Sequence, residues 1–304
     1  MNEFINKIAD KGTLLSAVIL IGGLVIFCVW LFKTVWHGLP AREKHGQDGR
    51  ATLLWSEPRR NNMHPSVPFL VILAYFGLTS AAFFIICKLQ KIPEDSWQFA
   101  FCQNVITSVS AIITGFIVIL LVRRSFARSL KGFGLNPKKA FRNLGAAVLT
   151  IWAVQPILMA VLLLTAKIGK FIVGPDYIIE QHQELKTITT YSAGGGPAAT
   201  LLIISVFVAA VLIVPIIEEL LFRGLLQSTL RSLGYGPWLS IAIGSFFFIL
   251  FHAAPSHWPA LFVLSMSLGY SYERSGSLLR PIFIHAIFNA TSVIVTLLTA
   301  KSAA

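Results

Sequence analysis

Residues 198–224 read AATLLIISVFVAAVLIVPIIEELLFRG. The first twenty of them, 198–217, carry no charge, and a helix of about that length crosses the roughly 30 Å hydrocarbon core of a bilayer. Glu218, Glu219 and Arg223 follow, and the helical pattern continues to about Leu233, where Gly234-Tyr-Gly-Pro237 stops it. An ionisable residue within a membrane helix costs on the order of 2.5–3.5 kcal/mol on insertion scales. Three such residues together require partners, a water-filled cavity or a chemical task. This stretch sets the fold class: an all-α, polytopic membrane helical bundle with a polar site inside it.

The remainder of the chain agrees. Of its 304 residues 55% are hydrophobic and only 12% charged, about half the charged share of a soluble domain. A chain of this size needs that polar coat to be soluble. Stretches free of Asp, Glu, Lys and Arg run 12–32, 61–87, 96–122, 143–166, 187–217, 232–272 and 281–300. The 41-residue stretch 232–272 is about twice a span and is interrupted by Pro255, His257 and Pro259, so it reads as two spans joined by a tight turn. The expected total is about eight, the first being a retained anchor rather than a cleaved signal and the seventh, roughly Pro259–Tyr272, being short. Cys28, Cys87 and Cys102 have no paired or metal-ligand spacing and read as small buried hydrophobes.

Charge placement gives orientation. Segment 33–66 carries six Lys/Arg and three acids; segment 123–142 carries seven Lys/Arg and no acid. Together they supply +10 of the formal +12, and two spans separate them, so the positive-inside rule places both in the cytoplasm. The connections 88–95 and 167–186 each net to zero and face the other side, whereas Arg231 and Arg280 fall on the cytoplasmic one. Topology therefore accounts for the basic residues and no nucleic-acid partner is expected. Phe126–Gly145 reads either as a headgroup-layer segment or as a solvated loop. His37, His45, His64 and His182 fall in loops and carry no signal, and His257 reads as a loop residue near the outer interface.

The polar residues inside the spans are regularly spaced. Glu219 and Arg223 are i and i+4 with the acid first, the favourable order for an ion pair. That pairing leaves Glu218, one residue round the helix, without a partner and suited to general-base work. Phe248 and His252 share a face, as do His285 and Asn289. Glu218 lies 15 residues before Leu233 and His252 lies 15 after Pro237, so straight helices meeting at that turn bring them to one level, about 22 Å in.

Glu218-Glu219-x-x-x-Arg223, Phe248-x-x-x-His252 and His285-x-x-x-Asn289, in that order and each in a hydrophobic span, resemble the CPBP family. That family comprises CAAX prenyl proteases of the Rce1 type and bacteriocin-processing or Abi-like membrane proteins. The resemblance covers about residues 198–300. It implies an intramembrane endopeptidase in which Glu218 and His252 activate water, His285 and Asn289 stabilise the oxyanion, and Glu219, Arg223 and Phe248 support the site. It implies no cofactor and no metal, and a cavity open to the cytoplasm. The implied partners are a membrane-associated or lipidated peptide substrate and the lipid bilayer.

Two other readings stay open at this stage. Glu218, His252 and His285 form a donor set typical of zinc, although HExxH is absent. The same residues would also line a path in a non-catalytic scaffold or transporter, though no repeat of half-helices supports that. The expected division is 1–143, an N-terminal membrane region with basic loops, and 144–304, the catalytic membrane core.

Overall fold

The computed structural model describes residues 61–303 other than 180, 193 and 194. The first expected span and its flanking loop, with Cys28, His37 and His45, lie outside them. Every named element among the described residues is a helix, and the extended pairing is an isolated bridge between Asn61 and Phe126. The all-α bundle is as expected.

Helix α1, Val67–Gln90, and helix α2, Trp97–Ser125, form an antiparallel pair. Lys91, at φ 51°, ends the first. Ser96 starts the second, its Oγ accepting from the Phe99 amide at 3.2 Å, which satisfies one of the donors a helix start leaves over. Short helix α3, Ser129–Phe133, and a 3-10 turn, Pro137–Lys139, lead into α4, Ala140–Ile172. The chain then doubles back before α5, Gln183–Ser192, and long helix α6, Gly196–Ser232. Helices α7, Pro237–Leu250, α8, Trp258–Ser275, and α9, Leu279–Ala303, complete the bundle.

Five helical runs among the described residues are long and apolar enough to cross a membrane: α1, α2, Ser129–Ile172, α6 and Leu279–Ala300. Their outer faces are lipid-like. Leu70, Phe84, Leu89, Phe116 and Leu163 are each more than half exposed, an arrangement that water would penalise and acyl chains accept. The protein is an integral membrane protein.

The stretch 232–272 forms two helices that break where Pro255, His257 and Pro259 interrupt it. Helix α7 has 14 residues, about 21 Å, short of a hydrocarbon core, and α8 has 18. The physical cause is Pro255. It forces the preceding Ala254 out of the helical region, to φ −100° and ψ 98°, so the helix has stopped by Phe251. The bend at 251–257 thus holds His252 in a break between two short helices rather than on a straight span.

The basic segment folds inward. Phe133 is fully buried and Phe126 nearly so, while Phe141 stands exposed. The Tyr272 hydroxyl donates to Phe133 O at 2.8 Å, the Leu278 amide donates to Gly134 O at 3.0 Å, and Asn143 Nδ2 donates to Ser277 Oγ at 2.8 Å. The segment's aromatic side pins one end of the bundle, while its basic side chains, Arg128, Lys131, Lys138, Lys139 and Arg142, stay exposed.

Candidate active site

The site is built on α6, which is not a regular α-helix. Phe207–Ile213 and Leu220–Gln227 are π-helical, and the α-helical Val214–Glu219 lies between them. Such wide turns concentrate at functional sites because they rotate the residues that follow. Pro215 explains the first. In a π turn the donor to Ala209 O is the Val214 amide, as observed, and the donor to Ala210 O would be residue 215. Proline has no N–H, so that carbonyl lacks its helical partner. Asn289 supplies one: its Nδ2 donates to Ala210 O at 2.7 Å, tying α9 to α6.

One turn on, the two glutamates part company. Glu219 is fully buried, and its Oε1 accepts from Arg223 Nη1 at 2.7 Å and from His285 Nδ1 at 3.0 Å. Arg223 is 2% exposed, and its Nη2 donates to Ser265 Oγ at 2.7 Å and Ser265 O at 3.1 Å on α8. Its guanidinium lies over the Phe248 ring, 4.7 Å from the centroid. Removing one partner from such a buried pair leaves an uncompensated charge costing about 3–5 kcal/mol. Glu218, by contrast, accepts no hydrogen bond from the described residues. Its Oε2 stands 3.8 Å from His285 Nε2, beyond hydrogen-bond range.

Phe248 is the hub between the histidines. Its ring centroid is 4.6 Å from that of His252 and 5.9 Å from that of His285. His252 Nδ1 lies 2.9 Å from Phe248 O. A carbonyl only accepts, so Nδ1 carries the hydrogen, and in the neutral ring Nε2 keeps its lone pair. Trp258 Nε1 donates to His252 O at 2.9 Å and so fixes the bend from its far side.

Glu218, Glu219, Arg223 and His285 are thus in direct array, His252 joins across Phe248, and Asn289 braces α6 one turn away. Among the described residues no three His, Cys, Asp or Glu side chains group so as to hold a metal ion.

Several participants are not legible as site residues from the motifs. Ser265 is an ordinary helix serine until Arg223 reaches it. Gln227 Nε2 donates to Gly269 O and to Glu273 Oε1, and Arg231 Nε stands 3.5 Å from Glu273 Oε2, so a second buried polar layer continues toward the basic segment. The acid at 273, beside the end of a charge-free stretch and facing Arg231, was the available signal. Tyr75 of α1, 4% exposed, lies within the electrostatic reach of Glu218. Its neighbour Phe76 stacks on Phe251 at 4.2 Å, next to His252.

Residues 200–291 match the family model described as "Rce1-like: Type II CAAX prenyl endopeptidase Rce1-like". Residues 200–291 are Rce1-like. The matched segment, somewhat under a third of the chain, holds every motif residue from Glu218 to Asn289. With the apolar helices it supports an intramembrane protease of the CAAX class acting on peptides. No curated protein matches the chain, and no solved structure does. Helix α1, which lays Tyr75 and Phe76 against the Rce1-like segment, and helix α2 fall outside the match.

Proposed function

We propose that the chain is a metal-independent glutamate-dependent endopeptidase, cleaving a membrane-associated or lipidated peptide that reaches the site from the cytoplasm or the membrane plane. The observation that carries the reading is the asymmetry of the two glutamates. Glu219 is fixed by Arg223 and His285, while Glu218, adjacent and 7% exposed, keeps its carboxylate free to accept a proton. Glu218 takes a proton from water as the water oxygen adds to the scissile carbonyl carbon. His252, with Nδ1–H held by Phe248 O, presents the Nε2 lone pair to orient that water. The oxyanion is met by the second N–H of Asn289, the first being taken by Ala210 O; His285, whose Nδ1–H is given to Glu219 Oε1, adds an Nε2–H donor in its doubly protonated form. Collapse of the tetrahedral adduct breaks the C–N bond, and the proton held by Glu218 passes to the departing amine. No acyl-enzyme forms.

The test is hydrolysis of a panel of prenylated and leader peptides by the detergent-purified protein, beside Glu218→Gln. The variant should retain fold and lose about 10²–10⁴-fold in turnover. Wild-type turnover in folded Glu218→Gln would overturn the assignment. Activity should survive chelation; loss on chelation with recovery on added zinc would favour the metal-dependent reading.

A further inference from the structure

Among the described residues, two arginines stand close together with no carboxylate partner where α4 and α9 begin. Asn143 Nδ2 donates to Ser277 Oγ at 2.8 Å, and this bond holds the first turn of α4 beside the entry to α9. Arg142 precedes that asparagine by one residue and Arg280 follows that serine by three. The two guanidiniums lie within each other's electrostatic reach. Arg280 is partly buried, and its Nε is covered with no hydrogen-bond acceptor. Segment 123–142 has no acid, and Glu273, at this end of the bundle, is taken by Arg231 and Gln227. The first turns of α4 and α9 hold no acid either, so each helix presents a cation at its positive end, where the macrodipole disfavours it. An anion between the arginines makes each of these interactions favourable.

The surroundings identify the anion. Guanidinium forks match the oxygens of a phosphate two at a time. Phe141, in the same turn as Arg142, is exposed, as aromatic side chains are where they settle among headgroups. One turn further in, on the face of Arg142, a Cβ added to Gly145 would meet nothing within 4 Å. Another turn in, on the same face, Leu149 is more than half exposed. An anion at the arginines is therefore continuous with an open apolar track, which suits a phosphodiester head on an acyl chain. We propose that Arg142 and Arg280 together bind the phosphate of an anionic phospholipid, whose chain lies along α4 past Gly145 and Leu149. His285 is five residues beyond Arg280, about 7.5 Å along α9, so the bound lipid braces the start of the helix that carries it.

The test is thermal melting of the full chain, delipidated in neutral detergent, titrated with dioleoyl-phosphatidylglycerol, with dioleoyl-phosphatidylcholine or with inorganic phosphate. Phosphatidylglycerol should raise the wild-type melting temperature at about a tenth of the concentration that phosphatidylcholine needs, the size of one charge-assisted hydrogen bond. Inorganic phosphate, with no chain to lay along α4, should need more still. Arg142→Gln and Arg280→Gln should each reduce the lipid preference to within about twofold. Lys138→Gln with Lys139→Gln, which removes two exposed charges from the same segment, should keep it. Native mass spectrometry reads the site without a melting transition: wild type should retain one phosphatidylglycerol under activation that strips it from both arginine variants. Equal response of wild type to the two lipids overturns the proposal, as does undiminished preference in either arginine variant. Loss of preference in the lysine variant overturns it too, since attraction would then be spread over the segment. Inorganic phosphate acting as strongly as phosphatidylglycerol would make the ligand a free phosphate and overturn the lipid.

Discussion

A proline in the middle of a membrane helix removes the donor of one carbonyl, and water is not there to replace it. On α6 that carbonyl belongs to Ala210, and the side chain that answers it is Asn289. The asparagine braces α6, and in the proposed mechanism it also offers its second N–H to the oxyanion. Asn289→Ala should lower turnover by about 10²–10³-fold, the usual cost of one oxyanion donor. It should also lower the melting temperature in detergent, because a buried carbonyl is orphaned at about 1–3 kcal/mol. Adding Pro215→Ala to that variant returns an N–H to position 215. The double variant should then regain thermal stability without regaining turnover. Recovery of both would assign Asn289 to bracing alone. The motif residues were legible one by one, since each is a polar group at helical spacing in an apolar run. The bond to Ala210 was not, because it depends on a π turn that no spacing in the sequence announces.

At the scale of elements, the contact that sets α6 against the basic segment is a glycine under an aromatic ring. A Cβ built on Gly224 would lie 2.2 Å from Phe133 Cζ, and Phe133 is held by Phe126 edge-on at 5.1 Å and by Tyr272 through its backbone carbonyl. The ring has no room to retreat. Gly224→Ala should therefore cost about 1–3 kcal/mol by overpacking, despite alanine being the better helix former by about 1 kcal/mol. Phe133→Leu leaves space at the same point, so the double variant should be less destabilised than the sum of the singles, measured as melting temperature or denaturant midpoint. Additive losses would mean that the two residues do not share the contact. The glycine in Glu-Glu-Leu-Leu-Phe-Arg-Gly was visible, and its neighbour was not: Phe133 lies some ninety residues earlier, in a segment whose basic charge drew attention to lipid. The lengths of α7 and α8 were not readable for a related reason. Hydropathy registers that 232–272 is apolar, but the length of each helix is set by where Pro255 halts the first.

For the whole molecule, charge and packing agree on which ends of the helices lie together. The basic segment 123–142, the turn at 276–278 and the Arg231–Glu273 pair meet at one end through Gly134, Asn143, Tyr272 and Gln227. The α1–α2 connection with Glu94 and Asp95 lies one long helix away, where Tyr191 of α5 donates to Asp95 O. The class of protein and the membership of this end were both readable from the sequence, because apolar runs and Lys/Arg excess are additive properties of composition. The return of the chain from Ile172 to His182 was not, since nothing in a neutral loop states that it runs back beside its own helix. The orientation in the bilayer that the charge asymmetry predicts is open to direct measurement. With Cys28, Cys87 and Cys102 replaced by alanine, single cysteines at Lys131 and Lys138, both exposed, should react with a membrane-impermeant maleimide only when the cytoplasmic face is accessible. A cysteine at Glu94, also exposed, should react only from the opposite face. A full helix separates the two sets, α2 with 29 residues or about 43 Å, more than a bilayer core, so a chain that spans the membrane cannot show both on one side. Labelling of all three from the same face would contradict the transmembrane assignment of α2, and the reversed pattern would turn the active-site bundle over in the membrane.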